Sequence, residues 1–187
     1  MLKWEIATAI VGSIFRINSF DQPNVKEAKD KTNEILHEFN KKGAMPQSKV
    51  ADGTIDDLLK GKKSSDYLAI LAYIDETKAA ENELQKLRNN LRDKFKIATT
   101  FGYGPRYLHS IGQLYKGGPK EGLFIEITKD DEKDIKVPDE PYTFGQLKMA
   151  QALGDLETIA KHGKRIVRIH IKGDFMKGLK KITQCMQ

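Results

Sequence analysis

The sequence predicts an α/β fold: a layered domain with a mainly parallel sheet of about four strands flanked by helices, preceded by an N-terminal helix-loop-helix. Between residues 66 and 187, short runs of branched and aromatic residues alternate with longer segments of helical periodicity. The first run, residues 67–74, is almost continuously apolar, which is typical of a strand buried on both faces. This alternation favours parallel strands joined by crossover helices.

The elements follow in chain order. Apolar residues at helical spacing predict helices over residues 4–17 and 25–40. Pro23 separates the two helices, and Asn24 is the expected cap of the second. Further helices are expected at residues 76–95, 106–115, 144–162 and 175–185, and strands at 67–74, 97–101, 123–128 and 165–171.

These elements divide the chain into three parts. Residues 1–43 form the helix-loop-helix, and residues 66–187 form the α/β domain. Between them, residues 44–65 contain Pro46 and two glycines, so we expect a connector with one short strand and one short helix.

Composition excludes several classes of protein. The chain has 187 residues and a net charge of +6, and it lacks an apolar run long enough for a membrane span. Its one cysteine, Cys185, can form neither an internal disulfide nor a cysteine-based zinc site, so we expect a cytoplasmic protein. Basic and acidic residues are interleaved at 75–96 and 128–139, which is typical of a solvated surface and disfavours nucleic acid as a partner.

Residues 20–29 are the first stretch that could carry chemistry. They form a polar loop before a helix N-terminus, whose free backbone donors suit an anion. Lys29, one turn inside the helix, could donate to a hydroxyl or ring oxygen. The alternative is that Asp21 and Asn24 only cap the helix and that Lys29 is a surface lysine.

Residues 102–119 are the second stretch. A glycine-rich strand end leads there into a helix, and the carboxyl ends of parallel strands are where α/β proteins bind ligands. Histidine is the side chain type best suited to moving protons in proteins, and His109 shares a predicted helix face with Gln113, four residues on. The alternative is a turn whose glycines only satisfy the backbone, with His109 as a hydrogen-bonded core residue. His162 and His170 are expected to be a surface residue and a strand residue.

Both stretches resemble glucose-6-phosphate isomerase. Residues 18–29 (Asn-Ser-Phe-Asp-Gln-Pro-Asn-Val-Lys-Glu-Ala-Lys) resemble the signature Asn-Pro-Phe-Asp-Gln-Pro-Gly-Val-Glu-x-x-Lys. Residues 108–113 (Leu-His-Ser-Ile-Gly-Gln) resemble the Leu-His-Ser-x-Gly-Gln motif of bacterial members, although the two motifs occur here in the reverse order to the single-function enzymes. Residues 97–171 are most similar to the tail of the bifunctional transaldolase/glucose-6-phosphate isomerase proteins.

The resemblance implies an enzyme of glycolysis and gluconeogenesis that interconverts glucose 6-phosphate and fructose 6-phosphate without a metal or cofactor. It implies catalytic roles for Lys29, near the ring oxygen of the sugar, and for His109, the ring-opening histidine that reaches the pocket from a neighbouring subunit. The implied substrate-binding residues are Gln22, Ser110, Gln113 and Lys116.

The resemblance also implies that the chain is part of a larger enzyme. The family's phosphate-binding Ser/Thr loop, essential arginine and catalytic glutamate have no counterpart in the sequence. Residues 1–43 would then be the end of the sugar isomerase domain, the isolated chain would be inactive, and its partners would be a sugar phosphate and the remainder of the isomerase polypeptide. The alternative is a non-catalytic assembly or sugar-phosphate-binding domain. The apolar faces at residues 4–17 and 25–40 have no sheet of their own, so they pack on the α/β part, pair between copies or stay loosely held, and we expect a homo-oligomer through this surface.

Overall fold

The computed structural model describes residues 1–48, 50 and 52–186 of the protein. Its helices are α1 (Leu2–Phe15), α2 (Pro23–Lys42), α3 (Ile55–Leu59), α4 (Lys78–Phe95), α5 (Gly112–Gly117), α6 (Phe144–Lys161) and α7 (Phe175–Cys185), with a 3₁₀ helix at Arg106–His109. Its strands are β1 (Tyr67–Tyr73), β2 (Ala98–Tyr103), β3 (Gly122–Lys129) and β4 (Arg165–Ile171).

The four strands form one parallel sheet in the order β2-β1-β3-β4. Tyr67 at the start of β1 is in register with Ala98 of β2 on one side and with Gly122 of β3 on the other. Because β1 lies inside the sheet and both its faces are covered, its sequence shows no polar alternation. The predicted α/β fold, with about four parallel strands between helices, is confirmed.

Helices cover both faces of the sheet. α3, α4 and α7 enclose a core that includes Leu84, Leu123 and Leu179, whereas α2, α5 and α6 enclose a second core that includes Tyr115 and Leu156. The connection through α4 leads from β1 outward to β2, and the later connections lead past β1 in the opposite direction. Right-handed crossovers that run in opposite directions lie on opposite faces of a sheet, which accounts for the two layers.

α2 belongs to the second layer, because it packs directly on α6. Gly154 of α6 allows this approach: a Cβ at that position would lie 2.7 Å from Oγ1 of Thr32 and 3.2 Å from the carbonyl oxygen of Ala28. The second helix of the predicted helix-loop-helix is therefore part of the same packed unit as the sheet.

α1 stands apart from this unit and makes at most marginal contact with the other helices and strands of the described chain. The loop that follows it folds back on one side, where the Ser19 hydroxyl donates to the carbonyl oxygen of Thr8 at 3.1 Å. Gly12 on that side is the buried residue of the helix. The rest of α1 is largely exposed, including its large apolar side chains.

Three local predictions differ from the structure. Residues 106–115 form two short helices instead of one, because the Ser110 N–H and hydroxyl both donate to the carbonyl oxygen of Tyr107 and close a 3₁₀ turn there. Gln22, not Asn24, is the N-cap of α2, and Pro23 fills the first helical position, where no N–H is needed. In the described part of the connector, Asp52 forms only an isolated bridge to β4 in place of a strand.

No helix among the described residues is long and apolar enough to cross a membrane.

Candidate functional site

A cavity of about 610 Å³ lies at the carboxyl end of β2, within the second motif. Gly102, Tyr103, Arg106, Ser110 and Tyr115 are among the residues that line it. Because β2 is an outer strand of the sheet, this cavity is open to solvent along the strand. The carboxyl end of a parallel strand is the usual place for a ligand in this class of fold, so the cavity is the candidate site.

Gly102 lets the 3₁₀ helix close over the end of β2. A Cβ on Gly102 would lie 2.9 Å from Cβ of Tyr107, which is closer than two carbons can approach. The glycine-rich sequence of the second motif therefore serves close packing beneath the cavity.

Tyr103 and Arg106 supply polar groups to the cavity wall. The Tyr103 hydroxyl is buried and has no hydrogen-bond partner among the described residues, and burial together with the charges of Glu76 and Glu81 raises its pKa. Arg106 is exposed, pairs with Glu76 at 2.9 Å and lies over the Tyr103 ring at 5.9 Å. An unpaired hydroxyl donor and an adjacent guanidinium are groups that bind hydroxylated or anionic ligands.

The two motifs meet at the N-terminus of α2. The backbone N–H of Asn24 donates to Oε1 of Gln113 at 3.1 Å, and Nε2 of Gln113 donates to Oδ1 of Asn24 at 2.7 Å. Gly117 is needed there, because its Cβ would lie 2.2 Å from that same Asn24 oxygen. A two-point link thus joins residues 89 positions apart and fixes the first motif against the second.

A partly buried polar cluster adjoins this link. His162, which follows α6, lies 2.7 Å from a Glu27 oxygen and 3.1 Å from the Asn24 amide nitrogen. Lys161 donates to the other Glu27 oxygen at 2.6 Å. Hydrogen bonds from Lys161 and His162 lower the pKa of Glu27 to about 2.

Lys116 lies inside the second core rather than at the cavity. Its side chain is fully buried, and Nζ lies 2.9 Å from Oδ1 of Asp155 in α6 as an ion pair. The hydroxyls of Tyr73 and Tyr107 both donate to the other oxygen of Asp155, and burial raises the pKa of each hydroxyl. Asp155 is therefore the acceptor that joins β1, the 3₁₀ helix, α5 and α6.

Glu126 of β3 shares this core. Its side chain is fully buried, and neither carboxyl oxygen has a hydrogen-bond partner among the described residues. Burial, with the negative charge of Asp155, raises the pKa of Glu126 well above its usual value. Glu126 therefore holds its proton more tightly than an exposed glutamate does, next to an ion pair.

The other residues singled out by sequence are exposed. Gln22 caps α2 through its backbone, and Lys29 lies on the exposed side of that helix. His109 ends the 3₁₀ helix and is exposed, and it shares no helix with Gln113, so the shared-face argument for that pair was wrong. Ser110 is the one of these residues that lines the cavity.

Sequence reasoning missed Asp155, Glu126, Tyr103 and the pairing of His162 with Glu27. A usable signal exists for one of them, because Asp155 interrupts the apolar face of a helix that is otherwise buried. His170 is a strand residue, as expected; Nδ1 lies 2.9 Å from the Thr128 hydroxyl and Nε2 lies 3.1 Å from Asp130.

Comparison with known proteins supports the fold and goes no further. No known protein family matches the chain, and no curated protein matches it. Among the solved structures that match is the hypothetical protein TT0462 from Thermus thermophilus, with a TM-score of 0.55 and 15% sequence identity. The match covers 89% of this chain but 44% of that chain, so this chain spans less than half the length of that neighbour. Fold and comparison together define an α/β protein with helices on both faces of a parallel sheet.

Proposed function

We propose that this chain is the C-terminal part of a glucose-6-phosphate isomerase, of the kind found in the bifunctional transaldolase/glucose-6-phosphate isomerase proteins. In this proposal it works in the cytoplasm, and the remainder of the isomerase polypeptide supplies the phosphate-binding loop, the essential arginine and the catalytic glutamate. The isolated chain then carries part of the substrate pocket and has no turnover of its own.

The contact between the two motifs carries the proposal. Gln113 binds both the backbone and the side chain of Asn24, so the segment that resembles the lysine signature and the segment that resembles the histidine motif are held together. Lys29 follows Asn24 by about 7.5 Å along the helix axis, and His109 precedes Gln113 by four residues. The contact between the two motifs supports a role for both in one pocket.

The residue types suit the reaction. Ring opening requires a proton to be donated to the ring oxygen and another to be removed from the anomeric hydroxyl, which a histidine and a lysine can accomplish together. The enediolate that follows carries negative charge, which the Lys29 ammonium can stabilise. Both side chains are exposed, so the substrate would lie between this chain and the polypeptide that completes the pocket.

A non-catalytic assembly domain is the second candidate. It is favoured by the contacts that Lys116 and Gln113 make within the fold. Lys116 is fully buried against Asp155, and the side-chain amide of Gln113 is occupied by Asn24. Two of the residues expected to bind substrate thus stabilise the fold.

Calorimetric titration of the chain with fructose 6-phosphate tests the proposal. We expect saturable binding that Lys29→Ala and His109→Ala each weaken several-fold, whereas Lys41→Ala, a change of an exposed lysine near the other end of α2, leaves it unchanged. Binding that neither variant alters would overturn the proposal in favour of an assembly domain. Absence of binding at millimolar ligand would mean that the phosphate site lies on the remainder of the polypeptide and that this chain is a component and not an enzyme by itself.

A further inference from the structure

Another cavity, of about 730 Å³, lies at the carboxyl ends of β1, β3 and β4. Its lining comes from three segments, within residues 75–80 after β1, 129–132 at the end of β3 and 173–176 after β4. It shares no lining residue with the cavity at the end of β2, and neither of the two sequence motifs reaches it. Its volume is in the range of sites that bind small molecules.

The topology of the sheet leaves a crevice at this place. β1 and β3 are neighbours, but the chain leaves β1 through α4 towards β2 and leaves β3 through α6 towards β4, in opposite directions. α4 and α6 cover opposite faces of the sheet, so the two strand ends are not bridged by one helix. Asp75 follows β1 and Lys129 ends β3, so the cavity lies where the direction reverses, which is where open parallel sheets bind ligands. We call it the switch-point cavity.

One side of the switch-point cavity is apolar. Ala80 in the first turn of α4 and Phe175 and Met176 in the first turn of α7 form this side. Ala80 is buried, and the other two are partly buried against the core beneath. The core holds the Phe175 ring in place, so a planar ring of a ligand could pack against it.

The other side of the switch-point cavity carries charges of both signs. Lys129 is only 7% exposed, and its Nζ lies 2.6 Å from one carboxyl oxygen of the exposed Asp75 and 6.0 Å from the centre of the Phe175 ring. Glu132 and Asp174 add two further carboxylates, of which Asp174 accepts from the N–H of Lys177 as the cap of α7. This side therefore offers both hydrogen-bond acceptors and a donor.

This mixture of charges favours an uncharged ligand. An anion would meet three carboxylates and one ammonium that is already paired, whereas a cation would meet Lys129 and the positive N-terminal ends of α4 and α7. A hydroxyl is suited to both kinds of group, because it donates to a carboxylate and accepts from an ammonium. In doubly wound folds, an acidic residue near the strand ends commonly binds the hydroxyls of a ribose.

We propose that the switch-point cavity binds a nucleoside. The base packs against Phe175 and Met176, and the two neighbouring ribose hydroxyls donate to Asp75 and Glu132. A free sugar would use only the polar side of the cavity, and a phosphate group would be repelled by the carboxylates. The proposal is independent of the isomerase function, because none of these residues belongs to either motif.

Calorimetric titration of the full chain with adenosine tests this proposal. We expect saturable binding at up to millimolar adenosine, at least ten-fold weaker binding of adenosine monophosphate and no detectable binding of glucose. Asp75→Asn should weaken adenosine binding about ten-fold and reduce the preference over the monophosphate, because the amide keeps the bond to Lys129 but removes a charge. Asp56→Asn, the same change at an exposed aspartate of α3, should leave both affinities unchanged.

Phe175→Leu is a second variant, which keeps an apolar side chain on the core but removes the flat ring. It should weaken adenosine binding several-fold, and urea denaturation of both variants verifies that they are folded. Absence of saturable adenosine binding, or glucose binding equal to that of adenosine, would overturn the proposal. Tighter binding of the monophosphate than of adenosine would also overturn it, as would adenosine binding that neither Asp75→Asn nor Phe175→Leu alters.

Discussion

Glu126 makes the stability of the protein depend on pH in a direction that the structure determines. Its carboxyl is fully buried without a hydrogen-bond partner among the described residues, and its pKa is raised well above the ordinary 4.5. Between pH 4.5 and the raised pKa, the folded protein holds a proton that the unfolded chain has released. Folding is therefore favoured at low pH, and this contribution is lost as the pH rises.

The size of the effect follows from the linkage between proton binding and folding. One proton held only by the folded state makes the free energy of unfolding fall by about 1.4 kcal/mol per pH unit. Glu126→Gln keeps the shape of the side chain but cannot ionise. The free energy of unfolding of this variant should therefore rise relative to the original chain by that amount per unit above pH 4.5.

Urea denaturation followed by circular dichroism at half-unit pH steps, from about pH 4.5 to about pH 8, measures this difference. Glu132→Gln, the same change at an exposed glutamate on the loop after β3, controls for the loss of one negative charge. Parallel stability curves for Glu126→Gln and the original chain would refute the reasoning, because they would mean that Glu126 ionises in the folded core as it does in water.

Three further outcomes are expected. Asp155→Ala leaves the Lys116 ammonium buried without a partner and should cost about 3–5 kcal/mol in urea denaturation. Gly154→Ala forces α2 away from α6 at Thr32 and should lower the free energy of unfolding by about 1–3 kcal/mol in the same assay. Glu27, whose pKa is lowered to about 2, stabilises the fold above pH 4.5 and loses that contribution as the pH falls through 2. Glu27→Gln should therefore remove about 1 kcal/mol at pH 6 and much less at pH 2, measured by urea denaturation.

The fold could be predicted because its signals are local. The apolar run of β1 indicates a strand covered on both faces, and the alternation with helical segments indicates parallel strands. The first residue of a helix is harder to predict, because it depends on one capping side chain. α4 begins at Lys78 because the Thr77 hydroxyl accepts from the N–H of Ala80, and a pattern of apolar residues does not contain that information.

The buried polar core could not be predicted, because its contacts join segments that are far apart in the sequence. β3 alternates in sequence, which is typical of a half-exposed strand, yet all eight of its residues are buried because α6 covers the side that carries Glu126. The partners of Asp155 come from three separate segments, up to 82 residues away along the chain. Such contacts become visible only when the tertiary structure places the segments together.

The candidate site could likewise be predicted only in part. Residue type and position before a helix identified the two motifs, and the structure brings them into contact through Gln113 and Asn24. The sequence could not indicate that Lys116 turns inward, because a lysine followed by two glycines is typical of an exposed turn. Its burial depends on Asp155, which lies 39 residues further along the chain.

Hydrogen exchange of the full chain, measured by mass spectrometry with and without saturating fructose 6-phosphate, tests the proposed function most directly. We predict slower exchange confined to residues 22–29 and 102–113, the two motifs joined by Asn24 and Gln113. Inorganic phosphate at the same concentration distinguishes recognition of the sugar from binding of the anion alone. Unchanged exchange in both segments, or protection located elsewhere in the chain, would contradict the assignment of these motifs to a sugar-phosphate pocket.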